Sequence, residues 1–488
     1  MSSSKRPNII LIMSDNHSAD LLGCYGNPEI STPHLDQLAQ EGARFDNAFC
    51  VNAMCSPCRA SVLSGLMPSQ HGIHTWIDDR RMETWPHNWN ALDNIDTLPE
   101  ILGRNGYQTA LVGKYHLGSP FQSQNGFDHW VTFPHGHTRN FWGNTVIEND
   151  KQYLYEGHSV DFFTEKAVEY IGEQDNEQPF FMFLSYNAPY GHWPAIKEPA
   201  KNRFAALYAD TPMHSVPREG ISREMFERVL LSMHDSGQGL DYSATMRIPN
   251  DMTSLRNYFS QMSMVDDGVG QIMAALQQQG LDENTLVIYT SDHGFSLGHH
   301  GFWGHGQATW PANTHRAAFS VPLLMRWKGM ISAETTSQHT VSQLDLFDTL
   351  LDYACVDNQW ETPSRSLVGL VDGGDSAEWD NILFMEQEET RAVRTDRWLY
   401  MQRFDQCEQF PLTDALFDLQ ADPHERHNRI EDPTYQDTIH SLRQQIEVFF
   451  AQNADPQFDL WQGGTTKSNS SRPWLWPTMW GDDWQPTF

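Results

Sequence analysis

Two cysteines three residues apart, Cys55 and Cys58, stand in the segment CSPCRASVLSG, where polar residues lead into a helical pattern. The free N–H groups and positive dipole end of a helix N-terminus favour an anion or a thiolate at that place. A CxxC pair can also be a redox motif or half of a zinc site, but no second pair of ligands follows at finger-like spacing. A redox motif would not explain Pro57 and Arg59. The segment therefore predicts a reactive or anion-binding centre at Cys55.

Polar side chains end several short apolar runs: NIILIMSDN, TALVGKYH, FFMFLSYN, TLVIYTSDHG and VPLLMRW. Such runs are typical of strands buried on both faces of a parallel sheet, and ligands bind at the carboxyl ends of such strands. The side chains expected at those ends are Asp15, Asn16, Lys114, His116, His192, Asp292 and His293. The polar pairs at 15–16 and 292–293 offer hard oxygen ligands and one imidazole, a set that can hold a divalent cation.

Helical patterns alternate with these runs. One helix is predicted over 33–41, with Thr32 as N-cap and Pro33 in the first turn, and another by apolar spacing over 258–276. The alternation predicts an α/β fold with a large, mostly parallel sheet sandwiched by helices. After about residue 380, short alternating stretches and a helix near 434–452 predict a small antiparallel sheet packed by a helix. We expect an α/β domain over 1–378 and a smaller subdomain over 379–488, whose Trp-rich tail wraps a surface or a subunit contact.

Composition excludes several classes of protein. The formal net charge of -31 disfavours binding to nucleic acid or to an anionic membrane. The apolar run at 8–13 is too short for a signal-peptide core or a membrane span and indicates a buried strand. Six cysteines are too few for a disulfide framework in a chain of 488 residues. We expect a cytoplasmic protein, or a periplasmic or secreted one if a leader has been removed.

The segment CSPCRASVLSG resembles the sulfatase signature CxPxR followed by a short helix that ends in glycine. Further segments occur in the order of that family: NIILIMSDN, GKYHLG, NAPYGHWP, SDHG, GFWGHG and FDLQADPHERHN. The chain is identified by this resemblance, over nearly its whole length, as a member of the formylglycine-dependent sulfatases of the alkaline phosphatase superfamily. The resemblance implies that a formylglycine-generating enzyme oxidises Cys55 to formylglycine. It also implies an alkaline-phosphatase-like fold.

The resemblance further implies a role for each matched residue. Hydrated formylglycine at 55 would bind the metal and attack sulfur, and the resulting sulfate ester would collapse after losing a proton to His116. Arg59 would hold the nucleophile, Lys114 and His305 would neutralise the transferring group, and His192 would protonate the leaving alcohol. The metal ligands would be Asp15, Asn16, Asp292, His293 and residue 55 itself. His192 matches less securely, because Tyr190 competes for the aligned position.

Three positions depart from the family pattern. Family members commonly have Asp where Asn16 stands and often Asn where His293 stands, so this set carries less negative charge and one nitrogen donor. Ca²⁺ is the expected metal, with Mn²⁺ as the alternative. His305 stands where the family usually has a lysine, which predicts sulfate binding that depends on pH near neutrality.

Aromatic, histidine and arginine side chains predict a substrate with sugar rings, most directly His135, His137, Arg139, Trp193 and Trp303. The expected substrate is therefore a sulfated carbohydrate rather than a small aryl or choline sulfate. Two alternatives stay open. One is a phosphonate monoester or phosphodiester hydrolase, whose metal set the four ligands also resemble, although GKYHLG and NAPYGHWP favour sulfate. The other is an inactive relative that binds a sulfated glycan. A homo-oligomer is also compatible with the sequence.

Overall fold

Two β-sheets organise the chain. The computed structural model describes residues 6–78, 82, 85–86, 88–175, 177–192, 195–236, 251–371 and 379–487. The strands are β1 Asn8–Asp15, β2 Ala43–Phe49, β3 Gln108–Gly113, β4 His129–Thr132, β5 Trp142–Glu148, β6 Lys151–His158, β7 Phe180–Pro189, β8 Thr285–Ser291, β9 Leu323–Arg326, β10 Thr335–Ser342, β11 Leu383–Gln387, β12 Thr390–Arg394, β13 Trp398–Arg403 and β14 Ala415–Asp418.

Helices cover both sheets. They are α1 Pro33–Gln40, α2 Cys55–Ser64, α3 Pro68–His71, α4 Leu98–Arg104, α5 Ser159–Gly172, α6 Arg223–Ser236, α7 Met252–Gln278, α8 Arg316–Phe319, α9 Leu346–Tyr353, α10 Val368–Val371, α11 Gln436–Asn453 and α12 Trp476–Trp480. Short 3-10 helices include Gly306–Ala308 and Gln343–Asp345. None of these described helices combines the length and apolar character needed to cross a membrane.

The large sheet has ten strands in the order β10-β2-β9-β8-β1-β7-β3-β4-β5-β6. At its centre, β8, β1, β7, β3 and β4 run parallel to one another. All eight residues of β1 are buried, because apolar clusters lie on both faces of the sheet. This arrangement confirms the predicted fold class, and it brings the carboxyl ends of β1, β3, β7 and β8 to one edge.

The direction of β9 differs from the expectation. The run VPLLMRW forms a fully buried strand as predicted, but β9 is antiparallel to both of its neighbours, β2 and β8. Burial on both faces produces an apolar run whichever way a strand points, so the sequence pattern carries no information on direction. The large sheet is consequently mixed, with antiparallel pairs flanking its parallel centre.

Two predicted helices are observed with small differences. The helix expected over 33–41 is α1, and Thr32 occupies its N-cap position as predicted. The Thr32 hydroxyl, however, accepts the backbone N–H of Gly23 at 3.0 Å and accepts no backbone N–H from the first turn of the helix. The apolar pattern over 258–276 lies inside the longer helix α7. Asp251 caps α7 by accepting the backbone N–H groups of Thr253 and Ser254 at 3.1 and 3.2 Å.

The C-terminal part contains an antiparallel sheet in the order β11-β12-β13-β14, packed by α11. The rings of Phe384 and Phe449 stack at 4.0 Å between sheet and helix. The predicted boundary at 378/379 adjoins residues 372–378, which lie outside the described residues, so that boundary stays a prediction. The tail returns to the large domain, and Trp474 and Trp476 are buried there in an apolar cluster with Trp310.

Candidate active site

The carboxyl edge of the parallel strands gathers charged side chains. Asp15 ends β1, Asp292 follows β8 directly, and Lys114 follows β3 directly. Because β1 lies beside β8, the backbone N–H of Asn16 donates to Asp292 Oδ1 at 3.0 Å. The structure therefore brings together the polar pairs 15–16 and 292–293, which are far apart in sequence.

Helix α2 brings Cys55 to this edge. The helix begins at Cys55, and all ten of its residues are buried. Cys55 Sγ lies 3.6 Å from Asp15 Oδ1 and 3.6 Å from His293 Nε2. Burial and the nearby Asp15 carboxylate raise the pKa of the Cys55 thiol well above its ordinary value. An unmodified Cys55 is thus a neutral thiol, despite its place at a helix N-terminus.

Two buried cations compensate the buried carboxylates. Lys114 Nζ lies 2.6 Å from Asp15 Oδ2, and Arg59 Nη2 lies 3.0 Å from Asp292 Oδ2. Burial and the charge of Asp292 raise the pKa of Asp15 above its ordinary value. Burial opposes ionisation of Asp292 as well, but His293, Arg59 and Lys114 hold the pKa of Asp292 well below its usual range. The site can therefore keep ionised side chains of both signs while they are buried away from bulk water.

The residues at this edge fit a divalent cation. One ligand atom from each of Asp15, Cys55, Asp292 and His293 lies within 4.8 Å of the other three. His293 Nδ1 donates to the carbonyl of Gly294 at 2.8 Å, which leaves Nε2 with the lone pair a metal needs. Asn16 adopts a left-handed backbone with φ 64°. Its buried amide oxygen and nitrogen have no hydrogen-bond partner among the described residues, and an unpartnered buried amide is the kind of group a bound cation would satisfy.

A histidine cluster lies beside the cation ligands. The ring centroid of His305 lies 4.9 Å from that of His192 and 5.5 Å from that of His293. Burial and the neighbouring His293 lower the pKa of His192 to about 3. Burial and the neighbouring His192 lower the pKa of His305 well below its ordinary value. Both imidazoles are therefore neutral at pH 7 in the free protein, so the expected titration of His305 is moved below the neutral range.

His116 lies at the same edge, in a left-handed backbone with φ 58°. Its Nε2 donates to the carbonyl of Ile77 at 2.9 Å, and its ring meets that of His137 edge-on at 4.7 Å. A Cβ added to Gly136 would lie 1.9 Å from His116 Cδ2, so only glycine allows this close approach. The loop that carries His137 thus packs directly against His116.

The other predicted substrate residues are scattered. Arg139 is exposed, and the half-buried ring of His135 stacks on Phe133 at 5.1 Å. Trp303 lies in the apolar core and is 5% exposed, and its indole N–H donates to the carbonyl of Glu219 at 3.2 Å. A buried indole presents no free face to a sugar ring, so the structure does not support Trp303 as a stacking platform. Trp193 lies outside the described residues.

Two supporting residues escaped sequence reasoning. Ser185 in β7 accepts a hydrogen bond from Arg59 Nη1 and donates to the Lys114 carbonyl at 2.8 Å. A single hydroxyl inside the apolar run FFMFLSYN was the available signal. The hydroxyl of Tyr258 in α7 donates to the carbonyl of Asn16. No local signal marks Tyr258, because tyrosine fits the apolar helical pattern equally well.

The carboxyl ends of the parallel central strands gather a nucleophile position, a cation site and buried positive charge, a combination typical of hydrolases of anionic esters. Two family models match the chain. "Sulfatase" matches residues 7–356, and "N-sulphoglucosamine sulphohydrolase, C-terminal" matches residues 311–452. The chain therefore belongs to the sulfatase family and hydrolyses sulfate esters. The predicted family and enzyme class are confirmed.

Named relatives extend over most of the chain. An N-acetylglucosamine-6-O-sulfatase of Bacteroides thetaiotaomicron is 27% identical, covering 91% of this chain and 86% of the relative. A choline-sulfatase of Rhizobium meliloti is 28% identical, covering 88% and 83%. A solved structure described as a complex with its substrate D-glucosamine-2-N,6-O-disulfate is 24% identical, covers 92% and 98%, and superposes with a TM-score of 0.71. The last comparison shows a shared fold.

Proposed function

We propose that the chain is a carbohydrate sulfatase that uses a divalent cation and a formylglycine made from Cys55. The observation that carries this proposal is the position of Cys55, which begins a fully buried helix in a CxPxR segment. Its sulfur lies 3.6 Å from both Asp15 and His293. A neutral thiol is a poor nucleophile, so the unmodified side chain would not serve as the nucleophile, whereas a hydrated formylglycine at this position would.

Asp15, Asn16, Asp292 and His293 would hold the cation, with residue 55 completing the set. We expect Ca²⁺, because oxygen donors dominate, with Mn²⁺ as the alternative because of the His293 nitrogen. When bound, the cation and the hydrated formylglycine would supply Lewis-acid polarisation of the sulfate and a hydroxyl nucleophile. Arg59 keeps its guanidinium against Asp292 and so fixes one ligand of the cation.

The remaining side chains handle charge and protons. Lys114 neutralises an anionic group at this edge, since its ammonium is buried beside Asp15. His192 must gain a proton before it can protonate a leaving alcohol, because its pKa is about 3 in the free protein. A bound sulfate monoester would supply the negative charge that raises that pKa. His116 is the candidate base that accepts a proton when the nucleophile is regenerated.

A carbohydrate is favoured as the substrate for two reasons. The relatives include, besides the choline-sulfatase, an N-acetylglucosamine-6-O-sulfatase, an N-acetylgalactosamine-6-sulfatase and an ulvan-active sulfatase. The loop that carries His135, His137 and Arg139 extends from the site towards solvent, with Arg139 exposed. A sulfated carbohydrate carries further anionic groups that this exposed cation would attract, whereas choline sulfate carries none.

The test measures inorganic sulfate released from sulfated polysaccharides, N-acetylglucosamine 6-sulfate, choline sulfate and an aryl sulfate. In parallel it measures the alcohol released from a phosphonate monoester. The protein is produced with a formylglycine-generating enzyme, and mass spectrometry of the tryptic peptide 45–59 measures conversion of Cys55. Release from a sulfated sugar supports the proposal. Turnover of choline sulfate alone, or of the phosphonate alone, would contradict it and identify the alternative.

A further inference from the structure

The loop from His305 to Arg316 begins at a candidate sulfate-binding residue and is held from the C-terminal subdomain. His305 stands between Gly304, with φ 127°, and Gly306. Glycines on both sides give the backbone of His305 little stiffness of its own. The position of its imidazole therefore depends on what holds the chain around it. The backbone N–H of Ser296 donates to the Gly304 carbonyl on one side, and that of Asn313, within the loop, donates to the Gly306 carbonyl on the other, both at 2.9 Å.

Three buried glutamates of the C-terminal subdomain hold this loop; we call them the glutamate clamp: Glu388, Glu389 and Glu425. The first glutamate accepts Gln307 Nε2 at 3.3 Å. The third accepts His315 Nδ1 at 2.8 Å and the backbone N–H of Arg316 at 3.0 Å. The clamp thus contacts the loop near both of its ends.

Glu389 makes the central contact of the clamp. Its Oε1 accepts the backbone N–H of Ala312 at 2.6 Å, and its Oε2 accepts Arg472 Nε at 2.9 Å. Arg472, from the tail, also donates through Nη2 to the carbonyl of Thr309 at 2.8 Å. Both side chains are fully buried. The ion pair therefore binds two backbone positions of the loop at fixed geometry.

The same turn of the C-terminal subdomain contacts the segment before Cys55. The backbone N–H of Glu386 donates to the Val51 carbonyl, and Asn52 Nδ2 donates to the Glu386 carbonyl, both at 2.8 Å. The backbone N–H of Ala53 donates to Gln387 Oε1 at 2.9 Å. The hairpin of β11 and β12 thus touches both the nucleophile segment and the His305 loop.

We propose that Glu389 and Arg472 are positioning residues that set where His305 lies relative to residue 55. The effect of these two residues on turnover rests on the proposed function, because it requires the sulfate group to lie between His305 and residue 55. Their effect on the placement of the loop is independent of the proposed function. Arg472 suits this task because a planar guanidinium donates in two fixed directions, which a lysine cannot reproduce. The tail that carries Arg472 accordingly supports the His305 loop from the side of the C-terminal subdomain.

The test compares Glu389→Gln and Arg472→Lys with a matched control, Asp282→Asn. Asp282 pairs with Arg326 at 2.6 Å and is also largely buried, but it lies before the amino end of β8, opposite the site. We expect kcat for N-acetylglucosamine 6-sulfate to fall about 10- to 100-fold in both clamp variants, as for a catalytic group displaced by about 1 Å. KM should change by less than about threefold, because Lys114 and the cation ligands, which the clamp variants leave in place, still bind the sulfate group. The control should keep its kcat.

Hydrogen exchange of the amides in 305–313 provides the second measurement. Protection of these amides should fall in both clamp variants and stay unchanged in Asp282→Asn, at equal formylglycine content. Hydrogen exchange needs no substrate. A wild-type protein without activity on N-acetylglucosamine 6-sulfate would therefore contradict the proposed substrate, while exchange would still test whether the clamp holds the loop. The proposal is overturned if exchange in 305–313 matches the wild type, or if kcat falls only in proportion to the unfolded fraction.

Discussion

Two buried polar regions of this protein differ in how their groups are paired. At the carboxyl edge, the Asn16 amide has no partner among the described residues, and burial together with Asp292 raises the pKa of Asp15. In the glutamate clamp, Glu425 accepts from His315, Arg316 and Arg394. Although burial opposes it, Arg394 and His315 hold the pKa of Glu425 well below its usual range. The polar groups of the first region are available to a ligand, whereas those of the second stabilise the fold.

This difference predicts which measurement each region controls. Unpartnered groups destabilise the free protein, and ligand binding recovers that free energy. Fully partnered groups stabilise the fold whether or not a ligand is bound. Substitutions at the edge should therefore change activity and metal affinity with little effect on stability. Substitutions in the clamp should lower the free energy of unfolding, in addition to the effect that Glu389 has on the His305 loop.

The largest effect is expected at Cys55. We expect Cys55→Ala to lower sulfate release at least about 1000-fold, because the nucleophile is lost. The unfolding temperature should stay near that of the wild type. The control is Cys58→Ser, which keeps a donor for the Asp292 carbonyl and Gln343. Equal loss of activity in both variants would instead favour a CxxC pair acting as a unit.

A large stability effect is expected at Glu425. Glu425→Gln should lower the free energy of unfolding by about 3 kcal/mol at pH 7, because Arg394 loses its buried partner. A lowered pKa stabilises the fold above the ordinary value of 4.5 and ceases to do so as pH falls towards the lowered pKa. The difference from the wild type should therefore narrow between pH 7 and pH 3.5 in urea titrations. An equal difference at both pH values, or an equal loss in the exposed control Glu283→Gln, would contradict this.

A smaller effect is expected on metal affinity. Asn16→Asp should tighten Ca²⁺ binding about tenfold, because an added carboxylate raises the charge of the ligand set. Aspartate tolerates the left-handed backbone that Asn16 adopts. Calorimetry in a Cys55→Ala background measures affinity without turnover. Asn94→Asp is the control, since Asn94 has φ 65° on the exposed surface. Unchanged affinity would remove residue 16 from the ligand set.

The smallest effect is expected at Arg139. Arg139→Ser should raise KM for a sulfated polysaccharide by up to about fivefold, which is the scale of an exposed charge pair. The difference should vanish in about 1 M salt, where the Debye length is about 3 Å. Arg104→Ser, another exposed arginine, should leave KM unchanged. A persistent difference at high salt would indicate a hydrogen bond instead of a screened charge.

Local sequence patterns were enough to predict the central strands of the large sheet and most of the residues at their carboxyl ends. Apolar runs that end in polar residues predicted β1, β3, β7 and β8. Because β1 and β8 are neighbours in the sheet, Asp15 and Asp292 at their ends lie close together. The CSPCR segment located the helix that begins at Cys55. These features could be predicted because each depends on a short stretch of chain and on the geometry of parallel strands.

Features set by distant parts of the chain could not be predicted. Trp303 was expected to stack on a sugar ring, but it is buried in an apolar cluster beside Met225 of α6, which lies about 80 residues away in sequence. The Glu389–Arg472 pair joins residues 83 positions apart, in segments with no chemical pattern of their own. The neutrality of His305 follows from burial among other histidines, which only the folded structure defines.

The contact of Arg472 with the His305 loop also has a consequence for the order of events during synthesis. Arg472 leaves the ribosome about 400 residues after Cys55, an interval of roughly 20–80 s at the usual rate of translation. Until then the glutamate clamp lacks Arg472 and the fold is incomplete. In the finished fold every residue of α2, including Cys55, is buried. We expect an enzyme that oxidises Cys55 to work within that interval. Ribosome-bound chains stalled before residue 472 should already carry formylglycine, and released, folded chains should no longer be converted.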